Sequence, residues 1–518
     1  MTNQRPNVLF VMTDQQRADT LGALGNDLIH TPNFDRLVET GVSFTNAYSQ
    51  TPVCVPARYN IRTGCEPPTT DYYTNSGPGP NTGTVEERAG TYLPRAMRDR
   101  GYRTFGVGKF HTKPPYEDLG YETHLQSEEL YNTVENRKER DAYGSFLADE
   151  FPEYDFLEQP HGERTEMYYM PQMSPLPAEV TVENWAADRA IDLIERDSER
   201  PFFGFLSFIG PHPPLAPPVP FNRMYDPDEM PSPIRGDIDV DHMDEQIPWM
   251  NHLIWASNGD EPVDGLRVRT LRARYYGEIS YIDQCLGRVL NALEERGERE
   301  NTVVCFFSDH GEHLGDHHAW QKESFFEQSA NIPFVVSWPG ELPAGERNDN
   351  LVCLTDLFGI ATRVAGDIET RDGIDVLGLL NGETEPRERL LGYYGEPKTR
   401  QFKIMVREGD WKYIWLANGD RQQLFHLAED PDELVNRATD DADVAARLRS
   451  AAVRDLQDHG LDQVLCDSDL DGFSFETRDC DRVHQFASWK DVDGFPEDPV
   501  DVLDSWELRS LDKFADER

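Results

Sequence analysis

The 518-residue sequence predicts an α/β protein, a mainly parallel sheet sandwiched by helices, followed by a smaller α+β domain containing an antiparallel sheet. Three observations predict it. Short continuous apolar runs alternate with helical patterns over the first part of the chain, as in sheets buried on both faces. Most of those runs end in polar, chemistry-bearing residues, where ligands bind in such folds. After residue 385 the pattern changes to short strands separated by tight turns.

The first apolar run, NVLFVMT at 7–13, ends in the polar stretch DQQRAD. Similar runs follow at 102–108 (YRTFGVG), 201–210 (PFFGFLSFIG), 302–311 (TVVCFFSDHG) and 332–340 (IPFVVSWPG). Between them TPNFDRLVETG reads as a helix, with Thr31 as cap, Pro32 in its first turn and Gly41 as its stop. TVENWAADRAIDLIERD and LRVRTLRARYYGEISYIDQCLGRVLNALEERG read as longer helices. Residues 1–385 are assigned to a first domain, interrupted by Pro-rich or acidic insertions at 114–180 and 211–265 that are candidate walls of a substrate pocket. Residues 386–460 form the small domain, with three short strands turning at Gly409-Asp410 and Asn418-Gly419 and then a helix near DADVAARLRSAAVRDLQDHG. Residues 461–518 are an acidic, aromatic-bearing extension to which no element is assigned.

Composition narrows the classes of function. Hydrophobic residues make up 38% and aromatics 11%, which excludes wholesale disorder. No apolar run approaches the roughly 20 residues that span a bilayer, and the N-terminus lacks the pattern of a signal peptide. The chain is read as soluble and cytoplasmic, without a membrane partner. Its seven cysteines are scattered, without C-x-x-C spacing, which argues against a disulfide framework or a zinc site. There are 95 Asp and Glu against 50 Lys and Arg, a net charge of -45. Nucleic-acid binding is excluded on that ground, since phosphate contacts need a basic surface. Acidic residues are spread along the chain, as expected of a protein from a salt-rich cytoplasm, where a Debye length of about 3 Å at molar salt screens self-repulsion, with an acidic enzyme of an ordinary cytoplasm as the alternative.

Two groups of residues carry chemistry. Asp14 with Gln15, and Asp309 with His310, end separate apolar strands and offer a hard divalent cation carboxylate, amide and imidazole ligands. Singly, Asp309 reads as a helix cap and His310 as a buried histidine; their joint placement points to metal. The second group is cationic: Arg58, Lys109 and His111 in GKFH, His212 in GPHPP, and Lys322 in WQKESFFEQ. In Gly- or Pro-rich turns at one sheet edge, such residues bind and polarise a tetrahedral anion, with imidazole available for proton transfer. His313 and His317, spaced i, i+4, imitate a zinc pair, but Gly315 between them and the absent H-E-x-x-H order assign them, with His318, to structure. Cys54, between Pro52 and Pro56, reads in isolation as an ordinary buried thiol.

Taken together these segments resemble the sulfatase family. TPVCVPARYNIRTG carries C-x-P-x-R as Cys54, Pro56 and Arg58, and the resemblance extends in order through PNVLFVMTDQQRAD, HTPNFDRLVETGVSFTNAYS, GYRTFGVGKFH, SDHGEHLGDH, QKESFFEQSANIPFVVSWPG and the late WKYIW and QLFHLAEDPDELVN. The resemblance implies an alkaline-phosphatase-like fold and a hydrolase of sulfate monoesters. In that family the cysteine is oxidised by a formylglycine-generating converting enzyme, and the hydrated aldehyde is the nucleophile. It implies one divalent ion, calcium or manganese, held by Asp14, Asp309 and His310 with Gln15 and the converted Cys54. Arg58 and Lys109 would hold the formylglycine diol, His111 would take the proton that collapses the intermediate, and His212 with Lys322 would bind the anion and assist the leaving group.

The sequence departs from the commonest family pattern. Thr13-Asp14 stands where two aspartates are usual, and Asp309-His310 stands for Asp-Asn, a variant similar to choline sulfatases and phosphonate monoester hydrolases. One imidazole and fewer carboxylates move metal preference from calcium towards manganese. Cys65 and Asn331 replace arginines common in the family and are not expected to touch the reaction. The expected partner is thus a small sulfated or phosphorylated substrate, and a homo-oligomer is left open. Two alternatives stand beside the sulfatase reading: a phosphonate monoester or phosphodiester hydrolase using the same nucleophile, and a non-catalytic anion-binding protein in which Cys54 stays unconverted.

Overall fold

The computed structural model describes residues 5–79, 81–128, 139–154, 169, 171–237, 242–255 and 265–478. Parts of both expected insertions, and residues 479–518 of the extension, lie outside the described residues. The main sheet has eight strands: β1 (Asn7–Thr13), β2 (Gly41–Phe44), β3 (Arg103–Gly108), β4 (Thr123–Gln126), β5 (Phe202–Ser207), β6 (Thr302–Ser308), β7 (Phe334–Ser337) and β8 (Glu346–Asn348). Their spatial order is β8-β2-β7-β6-β1-β5-β3-β4. All neighbours are parallel except β7, which runs antiparallel to both β6 and β2. The apolar run at 332–340 is therefore a strand, but a reversed one. An apolar run reports burial on two faces and is silent on direction.

β1 is the centre of the sheet, paired to β5 on one side and β6 on the other, and all seven of its residues are buried. Phe10 sits among Phe203, Phe205 and Phe307 at centroid distances of 5.3, 5.8 and 5.6 Å, largely edge to face, the arrangement aromatic quadrupoles favour. Helix α1 (Pro32–Glu39) carries Pro32 at its first turn as expected. Thr31 takes the N-cap position as expected, and the stop changes. The Thr31 hydroxyl donates to Asp35 and accepts from the Gly22 N–H instead of capping a helix amide. Thr40 takes the C-cap position and Gly41 opens β2, where a Cβ would lie 2.4 Å from the Val336 carbonyl oxygen. Gly41 is needed for close strand approach, not for stopping the helix.

Cys54–Thr63 forms α2, every residue of it buried. Val182–Ile194 (α3) and the 31-residue Gly265–Glu295 (α4) pack together on one face of the sheet, and Asp356–Val364 (α5) packs with α2 on the other. Among the described residues no helix is long and apolar enough to cross a membrane. The six described cysteines are all free; Cys480 lies outside the described residues.

The second sheet has four antiparallel strands, one more than the three expected: β9 (Arg389–Tyr394), β10 (Lys403–Glu408), β11 (Trp411–Leu416) and β12 (Arg421–His426). Period-two alternation sends Ile404, Val406, Tyr413 and Trp415 against Leu448, Ala452 and Leu456 of helix α6 (Ala442–Asp458). The opposite face sends Met405, Ile414, Leu416 and Phe425 against Tyr48, Phe325, Phe326 and Ala330. Both faces are buried, so this sheet braces the 320s loop of the first unit.

A polar contact closes the same seam. His459 Nδ1, just past the end of α6, lies 3.4 Å from Asp455 Oδ2, and Nε2 lies 4.0 Å from Glu66 Oε2 after α2. The hydrogen bond to Asp455 raises the His459 pKa from 6.5 to about 9, and burial raises Glu66 from 4.5 to about 8. Each group binds more protons folded than unfolded between its two values, so stability falls as pH rises through both windows. The His459 share is fully present below about pH 6.5 and gone above about pH 9. Melting curves of the wild type and His459→Gln should thus differ most at and below about pH 6.5 and converge by about pH 9.5; a gap unchanged between the two would deny the His459 proton this role.

Candidate active site

Four adjacent parallel strands, β6, β1, β5 and β3, bring their carboxyl ends side by side. β1 delivers Asp14 and Gln15, β6 delivers Asp309 and His310, β3 delivers Lys109, and His212 follows β5 by a short turn. Gly108 has φ +101, and a Cβ there would lie 1.8 Å from the Ser207 oxygen. Only glycine lets β3 turn Lys109 into the site while hugging β5. Cys54 opens α2, whose Val55 N–H is held by Asn75 Oδ1 at 2.9 Å, and Arg58 lies one turn later on the same face.

Arg58 ties these ends together. Its Nη2 donates to Asp14 Oδ2 at 2.6 Å and its Nε to Asp309 Oδ2 at 2.9 Å, while Nη1 donates to the Lys109 carbonyl and, at 3.2 Å, to Ser207 Oγ. Lys109 Nζ lies 2.7 Å from Asp14 Oδ2. Cys54 Sγ lies 3.2 Å from His310 Nε2 and 3.9 Å from Asp14 Oδ1, and His310 Nε2 lies 3.6 Å from Asp309 Oδ1. Ligand atoms of Asp14, Cys54, Asp309 and His310 all fall within 4.8 Å of one another, and all four residues are buried.

The electrostatics of this cluster suit a cation. Burial opposes ionisation of Asp14, but Lys109, His212 and Arg58 outweigh it and hold the carboxyl well below its usual range. Burial, then the Asp14 charge, raises Asp309 to about 7. Two carboxylates buried this close repel each other, which Arg58 and Lys109 offset in part and a bound cation would offset further. Burial holds His310 well below its ordinary value, hence neutral, and its Nδ1 donates to the Gly311 carbonyl at 3.1 Å, which directs Nε2 to the cluster as a metal-binding histidine requires. The donor set fits a divalent ion. Burial, then Asp14, raises the Cys54 thiol to about 12. Burial thus favours the neutral thiol of Cys54 over the thiolate.

A second group adjoins the first. Lys322 Nζ donates to Gln15 Oε1 at 2.6 Å and lies 3.1 Å from His212 Nε2; His212 Nδ1 lies 2.6 Å from the Pro213 carbonyl. Asp14, Gln15, Cys54, Arg58, Lys109, His212, Asp309, His310 and Lys322 are thus drawn into one connected, buried constellation. His111 stands half-buried on the turn after Lys109, with φ +45 and its backbone N–H donating to Glu128 at 2.9 Å. His313 is buried against Ser324, His317 stacks on Phe326 at 3.9 Å, and the His318 Nε2 lies 3.1 Å from the Gly236 carbonyl, the structural roles expected of them. Cys65 contacts backbone carbonyls and Asn331 pairs with Glu327, both apart from the cluster.

Sequence reasoning passed over Glu312 and Tyr169. Glu312, two residues past His310, is wholly buried and accepts from Gln15, from Tyr169 and from two backbone amides. Its proximity to His310 was the available clue; nothing in the sequence reports that an acid there is buried.

The comparisons agree with this geometry. The model of the Sulfatase family matches residues 6–366, and that of the C-terminal part of N-sulphoglucosamine sulphohydrolase matches residues 315–458. The chain is 27% identical over 467 residues to an arylsulfatase of Clostridium perfringens, covering 83% of this chain and 90% of that one. It is 28% identical over 480 residues to a choline-sulfatase of Rhizobium meliloti, covering 88% and 87%. The crystal structure of a phosphonate monoester hydrolase of Agrobacterium radiobacter superposes with a TM-score of 0.71 at 25% identity, covering 89% of this chain and 96% of that one. A cysteine presented by a helix start to two strand-end aspartates and a histidine, within a family match spanning well over half the sequence, leads to one conclusion: the chain belongs to the sulfatase family, within the alkaline phosphatase superfamily.

Proposed function

We propose that this hydrolase cleaves sulfate monoesters with an oxygen nucleophile made from Cys54 by conversion to formylglycine. One observation carries the reading: the Cys54 side chain points into the Asp14, Asp309 and His310 cluster, its sulfur within 4.8 Å of their ligand atoms, where a nucleophile activated by a metal ion would stand. Converted, the residue would offer a hydrated aldehyde oxygen, which can expel sulfate by returning to the carbonyl; a serine has no such route. A divalent ion on Asp14, Asp309 and His310, with Gln15 beside them, would supply Lewis-acid activation of that oxygen and neutralise sulfate charge. The mixed oxygen and imidazole set favours manganese over calcium.

The remaining residues divide the work. Arg58 and Lys109 keep Asp14 ionised and hold the converted side chain against it. Lys322 binds a sulfate oxygen. His212, whose Nδ1–H is held by the Pro213 carbonyl, sets Nε2 beside Lys322; as the imidazolium it would pass its Nε2 proton to the departing alcohol and return to the neutral ring. His111 is the base for the proton released as sulfate leaves. The likeness in fold to a phosphonate monoester hydrolase supports a second reading, in which the same nucleophile attacks phosphonate monoesters or phosphodiesters. Membership of a family of hydrolases leaves the purely anion-binding alternative without support. We extend the proposal to a converting enzyme as partner and, on the net charge of -45, to a salt-rich cytoplasm.

A panel of sulfate monoesters, phosphodiesters and phosphonate monoesters, assayed on protein made with a converting enzyme, separates the two readings. In the active protein the peptide spanning Pro52 to Arg58 should be lighter than its encoded mass and react with carbonyl reagents. Cys54→Ser should stop after at most one turnover; full activity with the thiol intact would exclude the mechanism. Asp309→Ala should lose bound metal and at least about 100-fold in turnover together, and full metal content with normal turnover would misplace the ligand. His212→Ala should cost about 10²–10⁴-fold for alkyl esters and much less for activated aryl esters, since acid assistance matters where charge builds on the leaving oxygen. Equal losses would remove His212 from that role.

A further inference from the structure

We infer that Glu312 is a positioning residue for the anion-binding pair Lys322 and His212, acting through the side-chain amide of Gln15. The inference rests on the anion-binding role proposed above for Lys322. Glu312 is fully buried, and both of its oxygens are occupied. Oε1 accepts from the backbone N–H groups of Leu314 at 2.9 Å and Gln321 at 2.8 Å. Oε2 accepts from the Tyr169 hydroxyl at 2.5 Å and from Gln15 Nε2. Four donors converge on one side chain that, ionised, only accepts.

That acceptor decides which way the Gln15 amide faces. With Nε2 engaged by Glu312, Oε1 is turned to Lys322 Nζ, which it receives at 2.6 Å, and Nζ lies 3.1 Å from His212 Nε2. Reversed, the amide would set its NH₂ against the ammonium and its oxygen against the carboxylate, two repulsive contacts in place of two attractive ones. The bond to the Gln321 N–H acts on the same lysine by a second route, because it fixes the backbone from which Lys322 projects. Gln15 itself has φ +68 and donates its N–H to Asp309 Oδ1 at 3.1 Å, so its backbone has little freedom and the amide torsion is what remains to be set. Glu312 touches neither Lys322 nor His212 in any of these contacts; it acts through Gln15 and the loop.

Glu312→Gln keeps the size of the side chain but turns one acceptor into a donor, leaving at least one N–H facing another. The expected result is a loss of about 10- to 100-fold in affinity for inorganic sulfate, measured by calorimetry, and a matching rise in KM for 4-nitrophenyl sulfate larger than the fall in kcat. If Glu312 acts through Lys322, the double variant with Lys322→Ala should bind sulfate no more weakly than Lys322→Ala alone. Wild-type sulfate affinity in Glu312→Gln, or losses that multiply in the double variant, would overturn the inference, as would an absence of sulfate binding by the wild type. Glu312→Asp, which keeps the charge but withdraws it from Gln15, is held to the same outcomes should Glu312→Gln fail to fold. Sulfate affinity is read independently of turnover. A wild type that binds sulfate without hydrolysing sulfate esters would therefore defeat the proposed reaction and leave this inference standing on its own measurement.

Discussion

The Arg58 guanidinium, buried between Asp14 and Asp309, is the contact that organises the catalytic half of the molecule. Two carboxylates at the ends of neighbouring strands repel each other in a medium that screens little, and each would be driven towards its neutral form. A planar fork of donors reaching both, with a further donor on the Lys109 carbonyl, joins three strand ends through one side chain. Because Arg58 lies one turn along α2 from Cys54, the same contact sets where the helix begins and so where Cys54 points. Removing the guanidinium would leave buried charge uncompensated, a far larger penalty than the net worth of the ion pair.

The small sheet matters for a related reason. One face is covered by its own helix, and the other lies on Phe325, Phe326 and Ala330, close along the chain to Lys322. Backbone around Lys322 departs from regular structure, with Gln321 at φ +69 and Glu323 at φ +74. Such a loop holds its shape only when its surroundings over-determine it. The ion pair of Lys403 with Asp244, and the Lys403 contact with the Glu323 carbonyl, add to that restraint from the second sheet. The C-terminal module is thus part of the site's support, although none of the chemistry-bearing residues described above comes from it.

Much of the site was legible because strand ends are legible. A buried parallel strand needs an unbroken apolar run, so the residues that terminate it stand out: Asp14 after NVLFVMT, Lys109 after YRTFGVG, Asp309 after TVVCFFS. The C-x-P-x-R order singled out Cys54 and Arg58 together; that a helix begins at Cys54 and sets the two one turn apart came only with the fold. The direction of β7 was not legible, since strand polarity within a sheet depends on neighbours distant in sequence. The fourth antiparallel strand, Arg389–Tyr394, was hidden because RLLGYY does not alternate clearly in polarity and carries Gly392 in mid-run, which weakens a strand pattern.

By itself the amino-acid sequence determined the α/β class, the buried central strands and the residue types available to meet a metal ion and an anion. These follow from local periodicity and from residue chemistry at segment ends, which neighbours along the chain suffice to specify. Tertiary structure alone decided that Arg58 spans two aspartates, that His310 is neutral with Nε2 turned to Cys54, and that Glu312 lies behind Gln15. Charge state and amide orientation depend on burial and on partners brought from hundreds of residues away, as Gln15 meets Glu312 and Lys322 across separations of 297 and 307 positions. No local pattern encodes those encounters; they exist only once the strands have paired.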